Sequence, residues 1–398
     1  MLKTDPSRGW MPYPWVPVPQ AASGPLHGLT FAVKDLFHIK GYPTSAGQPM
    51  MLATSGIQTS TAPAVQACLD AGATFRGKTI TDEFAFSMNG NNAHFGAPVN
   101  GADPARISGG SSSGSASVVS HRLVDFALGT DTGGSVRAPS SHCGLIGLRP
   151  THDRVSLQGC YPLSPSLDTC GWFARDLQTF SRVGSVLLGP DARPATRSVR
   201  LLFPADLWAL LAPEVREAHG PALTLLSDLF GSPVSVSIAH ESIDAMVLNL
   251  RIVQAFEAWQ TNGAFIEQYC PPIGPGVRER LEWASQITLE MFASASGFRD
   301  RVKDAMRTLL ADDGLLVLPT MPDIAPLRTT SEADLDRYRT ASVQLLCAAS
   351  LAGLPQISLP LSQREGAPLG LSLIGPAGQD RALIDLAARV MQAAESAR

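Results

Sequence analysis

The sequence predicts an α/β fold, and three observations carry the prediction. Short apolar runs bounded by turn residues recur as strand candidates, and stretches with helix start and stop signals lie between them. The 398 residues, 44% hydrophobic and 17% charged, also supply apolar surface for a core of ordinary size or larger. At about 150 residues per domain the length suits two or three domains, yet single α/β domains reach this size, so the domain count stays open.

A Pro-rich lead over residues 1–25 precedes the first apolar run, Leu29 to Val33, which reads as a strand ending in Lys34-Asp35, and regular order is expected to begin there. Thr61 to Ala71 carries Pro63 at its start and Gly72 after its last apolar residue, a helix signature, and Ala73 to Phe75 reads as the next strand. Residues 89–117 are rich in Asn, Gly and Ser, a composition that marks a site loop rather than a core element. One or two helical turns follow at Ser115 to Arg122, then a buried strand at Val124 to Leu128 and a second glycine loop, Gly129 to Ser135. The middle of the chain is less punctuated, with helical stretches at Ser242 to Gln268 and Val277 to Phe292. Strands return at Leu315 to Leu318, Gln356 to Leu359 and Leu369 to Ile374, with a closing helix from Asp380 to Ala393.

A net charge of −4 without a run of basic residues argues against nucleic acid or a membrane surface as partner, and a small neutral molecule is the expected one. The first twenty residues lack a basic-then-apolar pattern and the longest apolar stretch, Leu345 to Leu354, is half a membrane span, so a cytoplasmic protein is expected. The six cysteines show neither a CxxC pair nor zinc-site spacing and read as reduced packing residues. Only five of the 31 basic residues are lysines, at positions 3, 34, 40, 78 and 303. A bias towards Arg explains the ratio without saying which lysine matters.

Glycine loops at helix starts expose N–H groups that can bind phosphate or an oxyanion. Gly109 to Gly114 and Gly129 to Gly134 are each followed by Ser, with no P-loop lysine, which disfavours nucleotide. A G-x-S-x-G match, Gly110 to Gly114, would make Ser112 the nucleophile of a hydrolase elbow with His121, His142 or His152 as base, but the polar segment before it is no elbow strand. A serine activated by lysine is the remaining route: burial at a strand end disfavours the charged amine and makes it a base. Lys34 fits that position, although a simple ion pair with the adjacent Asp35 is the structural alternative.

The strings Ala32-Val33-Lys34-Asp35, Gly109-Gly110-Ser111-Ser112-Ser113-Gly114-Ser115, Gly129-Thr130-Asp131-Thr132-Gly133-Gly134-Ser135-Val136-Arg137 and the run Cys143 to Thr151 together resemble the amidase signature family. The resemblance is strong from Leu26 to Asp176 and reappears at Leu315 to Pro319 and Leu354 to Gln379. It implies one α/β/α domain over 26–398, a large mixed sheet covered by helices, with a signature core at 26–190, a variable helical cap at 191–300 and a return to the sheet at 301–398. By the same resemblance Ser135 is the nucleophile, Ser111 follows a cis peptide bond, and Lys34 deprotonates Ser135 through Ser111. Thr132, Gly133, Gly134 and Ser135 would offer backbone N–H groups to the oxyanion, each donor typically worth about 3 kcal/mol. Gly110, Ser112, Asp131 and Arg137 would support the loops, with Asp131 and Arg137 pairing across the nucleophile turn.

Within the family, the stretches Ser87 to Gly96, Leu123 to Phe126 and Asp168 to Asp176 are similar to those of the plant-type indole-3-acetamide hydrolase group. That similarity implies a small primary amide, an arylacetamide among the candidates, as substrate, and the family adds a homodimer. A carbamoyl or urea-type hydrolase is the alternative, followed by an amidotransferase subunit or a non-catalytic module. Base, nucleophile and oxyanion donors would all be protein groups, so neither a metal nor an organic cofactor is required.

Overall fold

The apolar run near residue 30 forms the strand that its sequence predicts. In the computed structural model, which describes residues 5–191 and 198–396, β1 (Thr30–Lys34) buries Phe31, Ala32 and Val33 and ends on a buried Lys34. It is followed by β2 (Thr74–Thr79), β3 (Phe126–Asp131), β4 (Ile146–Arg149), β5 (Thr169–Ala174), β6 (Arg200–Pro204) and β7 (Val234–Val236). The chain then returns with β8 (Gly314–Pro319), β9 (Gln356–Arg364) and β10 (Ala367–Ile374). These ten make one mixed sheet in the order β2-β1-β3-β5-β4-β9-β10-β8-β6-β7. Its centre is antiparallel, and both flanks, β2-β1-β3 and β8-β6-β7, are parallel.

Alternation along the strands sends neighbouring side chains into cores on opposite faces. Leu315 and Val317 join a cluster with Trp172, Val183 and Val390, whereas Leu316 and Leu318 join one with Met246, Val302 and Leu346. Helices Pro63–Asp70, Leu177–Leu187 and Asp380–Ser396 cover the first face, and Ile243–Tyr269, Leu289–Leu310 and Glu332–Ala352 the second. The layering is α/β/α, as the resemblance implies. Among the described residues no helix is long and apolar enough to cross a membrane.

Four readings of the sequence change. The lead does not precede the ordered structure: Met11 donates to the Lys78 carbonyl at 2.9 Å, Trp10 bridges Thr79, and Tyr13 donates to Asp35 Oδ2 at 2.7 Å, so residues 10–13 cover the outer edge of β2. Lys3 and residues 1–4 lie outside the described residues. The stretch 277–292 is two helices, Val277–Ala284 and Leu289–Leu310, because the Thr288 side chain accepts the N–H of Met291 at 3.2 Å and starts a new helix. Gly129 belongs to β3 rather than to a loop; a Cβ there would meet Ser112 Oγ at 2.7 Å, so this glycine permits close packing within a strand. Finally, the middle segment supplies β6 and β7 as well as helices, while its residues 192–197 lie outside the described set.

Candidate active site

Strands β1 and β3 run parallel and side by side, so their C-terminal ends bring Lys34 and the last β3 residues, Thr130 and Asp131, to the same end of the sheet. Helix Ser113–Ser120 starts above them and delivers the loop 109–112. The Gly110–Ser111 peptide is cis. Lys34 Nζ donates to Ser111 Oγ at 2.7 Å and to Thr130 Oγ1 at 2.8 Å, with all three side chains buried. Burial pushes the Lys34 amine down to about 8, against the opposing charges of Asp82, Cys160, Asp168 and Asp131. An amine at that value is neutral in roughly one molecule in ten at pH 7, far more than an ordinary lysine, and, held against a serine hydroxyl, its neutral form can accept the proton.

Lys34 is not paired with its neighbour in sequence. Asp35 instead forms a buried ion pair with Lys78 at 2.5 Å, and Lys78 also donates to the Pro43 carbonyl and Thr44 Oγ1. Asp35, the first residue after β1, is thus taken by Lys78 of β2, and Lys34 is left to Ser111 and Thr130.

Ser135 sits at the end of the turn after β3, 4% exposed, with its carbonyl accepting from Ser112 N–H. Asp131 shapes this turn. Its carboxylate accepts the N–H groups of Gly134, Val136 and Arg137 and a two-point pair from Arg137, Nε at 3.0 Å and Nη2 at 2.8 Å. Burial alone would raise the acid; the Arg137 and Arg149 guanidiniums outweigh it and hold Asp131 well below the usual carboxylate range. Arg137 continues to Leu346 O, Gln356 Oε1 and Ser350 Oγ, tying the turn to helix Glu332–Ala352 and to β9. Asp131 and Arg137 are therefore one buried unit, not two solvated charges. Arg137→Met is expected to lower stability by about 3–5 kcal/mol, since it leaves a buried carboxylate under-compensated, and thermal or urea denaturation checks this.

The two glycines before Ser135 differ in purpose. Gly134 has φ 133° and a Cβ on it would meet Leu346 Cδ1 at 2.4 Å, so backbone and packing both require glycine. Over Gly133 the nearest atom is Gln254 Nε2 at 3.8 Å, leaving space for an approaching group. Because Gly134 N–H is committed to Asp131 at 3.0 Å, it is not free for an oxyanion; the N–H groups of Thr132, Gly133 and Ser135 have no partner among the described residues. Ser112 Oγ donates to the Thr130 carbonyl at 3.2 Å and accepts its N–H at 3.3 Å, holding the two loops together. The elbow reading also lacks its base: His121 bonds Ser117 O, His142 bonds Tyr338 Oη and His152 bonds Pro165 O.

Other buried residues that the sequence did not single out complete the site. Asp82 accepts Gly90 N–H at 3.0 Å and lies where a Cβ on Gly110 would strike it at 2.4 Å, which explains that glycine; its Oδ1 has no partner among the described residues. Burial pushes Asp82 up while Gly90 and the Lys34 charge pull it down. Asp168 accepts from Thr132 Oγ1 at 2.5 Å and from the Leu163 and Ser164 N–H groups, and burial raises it to about 6. Arg149 holds the Asp131 and Thr132 carbonyls at 2.7 and 3.0 Å. A small pocket opens above Gly133 and Ser135, walled by Met88, Arg251, Gln254 and Arg339, and it adjoins a cavity of about 730 Å³ that shares Arg251, Gln254 and Arg339 with it.

Comparison with known proteins identifies the family. The family model described as Amidase matches residues 17–216 and 205–384. The chain is 38% identical to Amidase 1 of Arabidopsis thaliana over 93% of its own length and 94% of that protein's. It is 34% identical to Mandelamide hydrolase of Pseudomonas putida, covering 91% of this chain and 78% of that one. A solved structure described as a crystal structure of amidase superposes with a TM-score of 0.81 at 31% identity, over 91% of this chain and 84% of the other. With the fold, the loops and these relatives in agreement, the chain belongs to the amidase signature family of hydrolases that cleave carbon–nitrogen amide bonds.

Proposed function

We propose that the protein hydrolyses a small primary carboxamide to the carboxylic acid and ammonia, with Ser135 as nucleophile, Ser111 as relay and Lys34 as base. The observation that carries this reading is the 2.7 Å contact of a buried, pKa-lowered Lys34 with Ser111 beside a turn that presents Ser135. Neutral Lys34 takes the Ser111 proton as Ser111 takes that of Ser135, and Ser135 Oγ bonds to the amide carbon. The tetrahedral oxyanion faces the N–H groups of Thr132, Gly133 and Ser135. The proton returns along the same path to the departing nitrogen, ammonia leaves, and water attacks the acyl-enzyme to regenerate Ser135.

An arylacetamide such as indole-3-acetamide is part of the reading. It is supported by the names of the relatives, Amidase 1 and Mandelamide hydrolase, and by Phe86 and Trp283 in the cavity wall. A cytoplasmic homodimer completes it, and sedimentation checks the dimer. The test is ammonia release from indole-3-acetamide, phenylacetamide, benzamide, biuret and an aliphatic amide. Turnover of an arylacetamide that Ser135→Ala abolishes is expected; turnover of biuret alone moves the protein to the carbamoyl class.

A further inference from the structure

The cavity beside Ser135 holds more positive charge than a neutral amide needs. Arg251, on helix Ile243–Tyr269, and Arg339, on helix Glu332–Ala352, line both the small pocket over Ser135 and the larger cavity, and among the described residues no acid lines the small pocket. Each has a buried Nε that donates to no described group. Among the described residues Arg251 makes one hydrogen bond, from Nη2 to Thr340 Oγ1 at 3.1 Å, and the one partner of Arg339 is Asp336 Oδ1 at 3.8 Å, on a side chain 72% exposed. Arg280 joins them from helix Val277–Ala284, anchored through Nε to the Phe86 carbonyl at 2.7 Å.

The acids of the larger cavity leave these donors uncompensated. Glu83 is held by His94, Gln48 and Gly274 N–H, and Glu279 by Gly276 N–H. Glu332 and Asp336 lie at the exposed rim. Burial, followed by the charges of Arg280 and Arg251, pushes Arg339 down to about 9, so the three guanidiniums are close enough to repel one another. Partly buried cations with unmade donors next to a nucleophile are matched by an anion, and a planar carboxylate suits the guanidinium fork.

We propose that the preferred substrate carries a carboxylate on its acyl side, bound by Arg251 and Arg339 with Arg280 behind them, while its amide carbonyl lies over Gly133 and Ser135. Gln254, between the arginines and the oxyanion turn, would hold the substrate backbone. This inference rests on the amidase reading and changes the expected substrate from neutral to anionic. Half-amides of dicarboxylic acids and a carboxylated urea share this chemistry.

The test compares matched pairs on the wild type: succinamate with butyramide, 4-carboxyphenylacetamide with phenylacetamide, and carboxyurea with urea. The carboxylate member of at least one pair is expected to show a kcat/KM about ten- to a hundredfold higher. Which pair responds identifies the source. In Arg339→Gln and Arg251→Gln that ratio is expected to fall towards one. Calorimetric binding of the same pairs to Ser135→Ala reads the arginine cluster without turnover, and at least tenfold tighter binding of a carboxylate member is expected. Equal or weaker binding of the carboxylate member in every pair overturns the inference. Tight, carboxylate-selective binding by a wild type that hydrolyses no amide upholds it and overturns the catalytic reading instead.

Discussion

Ser135→Ala is expected to lower kcat/KM for any amide that the protein hydrolyses by about 10⁴-fold or more, the range seen when a covalent nucleophile is removed. The expectation follows from position: Ser135 lines the pocket together with Gly133, on the turn whose Thr132 and Gly133 N–H groups have no partner among the described residues. Ser111→Ala is expected to cost nearly as much, because Lys34 would lose the hydroxyl through which it reaches the nucleophile. Residues that work as a relay are not additive, so the double variant is expected to lose little beyond the Ser135 change. Ser112→Ala separates this account from the elbow reading. Its hydroxyl bridges Thr130 backbone, so the variant is expected to melt earlier and to lose about tenfold at most in rate. Steady-state kinetics with a melting curve for each variant checks the series, and a Ser112→Ala enzyme as dead as Ser135→Ala would contradict it.

The second large effect is on Lys34. The base must be neutral, and its amine is held at about 8 in the folded protein. The rate is therefore expected to rise about tenfold per pH unit below 8 and to level off above it. Burial lowers the amine, so the folded state disfavours the proton that the unfolded chain retains. Below about pH 8 both states carry the proton and the folded state bears the full penalty of burying it; between there and the ordinary lysine value only the unfolded chain stays protonated, and the stability linked to Lys34 is recovered as the pH rises. Activity thus rises below about pH 8, where this stability contribution is flat, and the stability rises above it, where the rate is level. Lys34→Ala is expected to lower kcat by about 10³-fold or more and to abolish the inflection near pH 8. An unchanged pH profile in that variant would assign the inflection to another group.

The elements that carry chemistry were legible because their chemistry constrains residue type locally. A lysine ending an apolar strand, glycines that clear space for backbone and substrate, and serines at a helix start are all visible in single strings. The Asp131–Arg137 pair was legible for the same reason, being six residues apart on one turn. Asp82 was not, because its role exists only where Gly110 from another loop closes over it. Nor were Arg251 and Arg339, which look like ordinary charges on polar helix faces and become neighbours through the packing of two long helices. The oxyanion donors could be named as a string, but that Gly134 N–H turns back to Asp131 is a matter of φ and ψ that composition does not carry. The strands of the middle segment were obscured because β7 is three residues long and mostly exposed, with no apolar run to announce it.

Covalent labelling distinguishes Ser135 from the other serines of the glycine loops as the nucleophile that Lys34 activates. The folded protein is inactivated with a sulfonyl fluoride, and the modified peptide is mapped by mass spectrometry alongside the loss of amidase activity. The account expects one label per active site, on Ser135, forming faster as the pH rises through about 8 and absent in Lys34→Ala at the same exposure. A label on Ser111 or Ser112 with Ser135 unmodified, or labelling of Ser135 that is indifferent to Lys34, would contradict it.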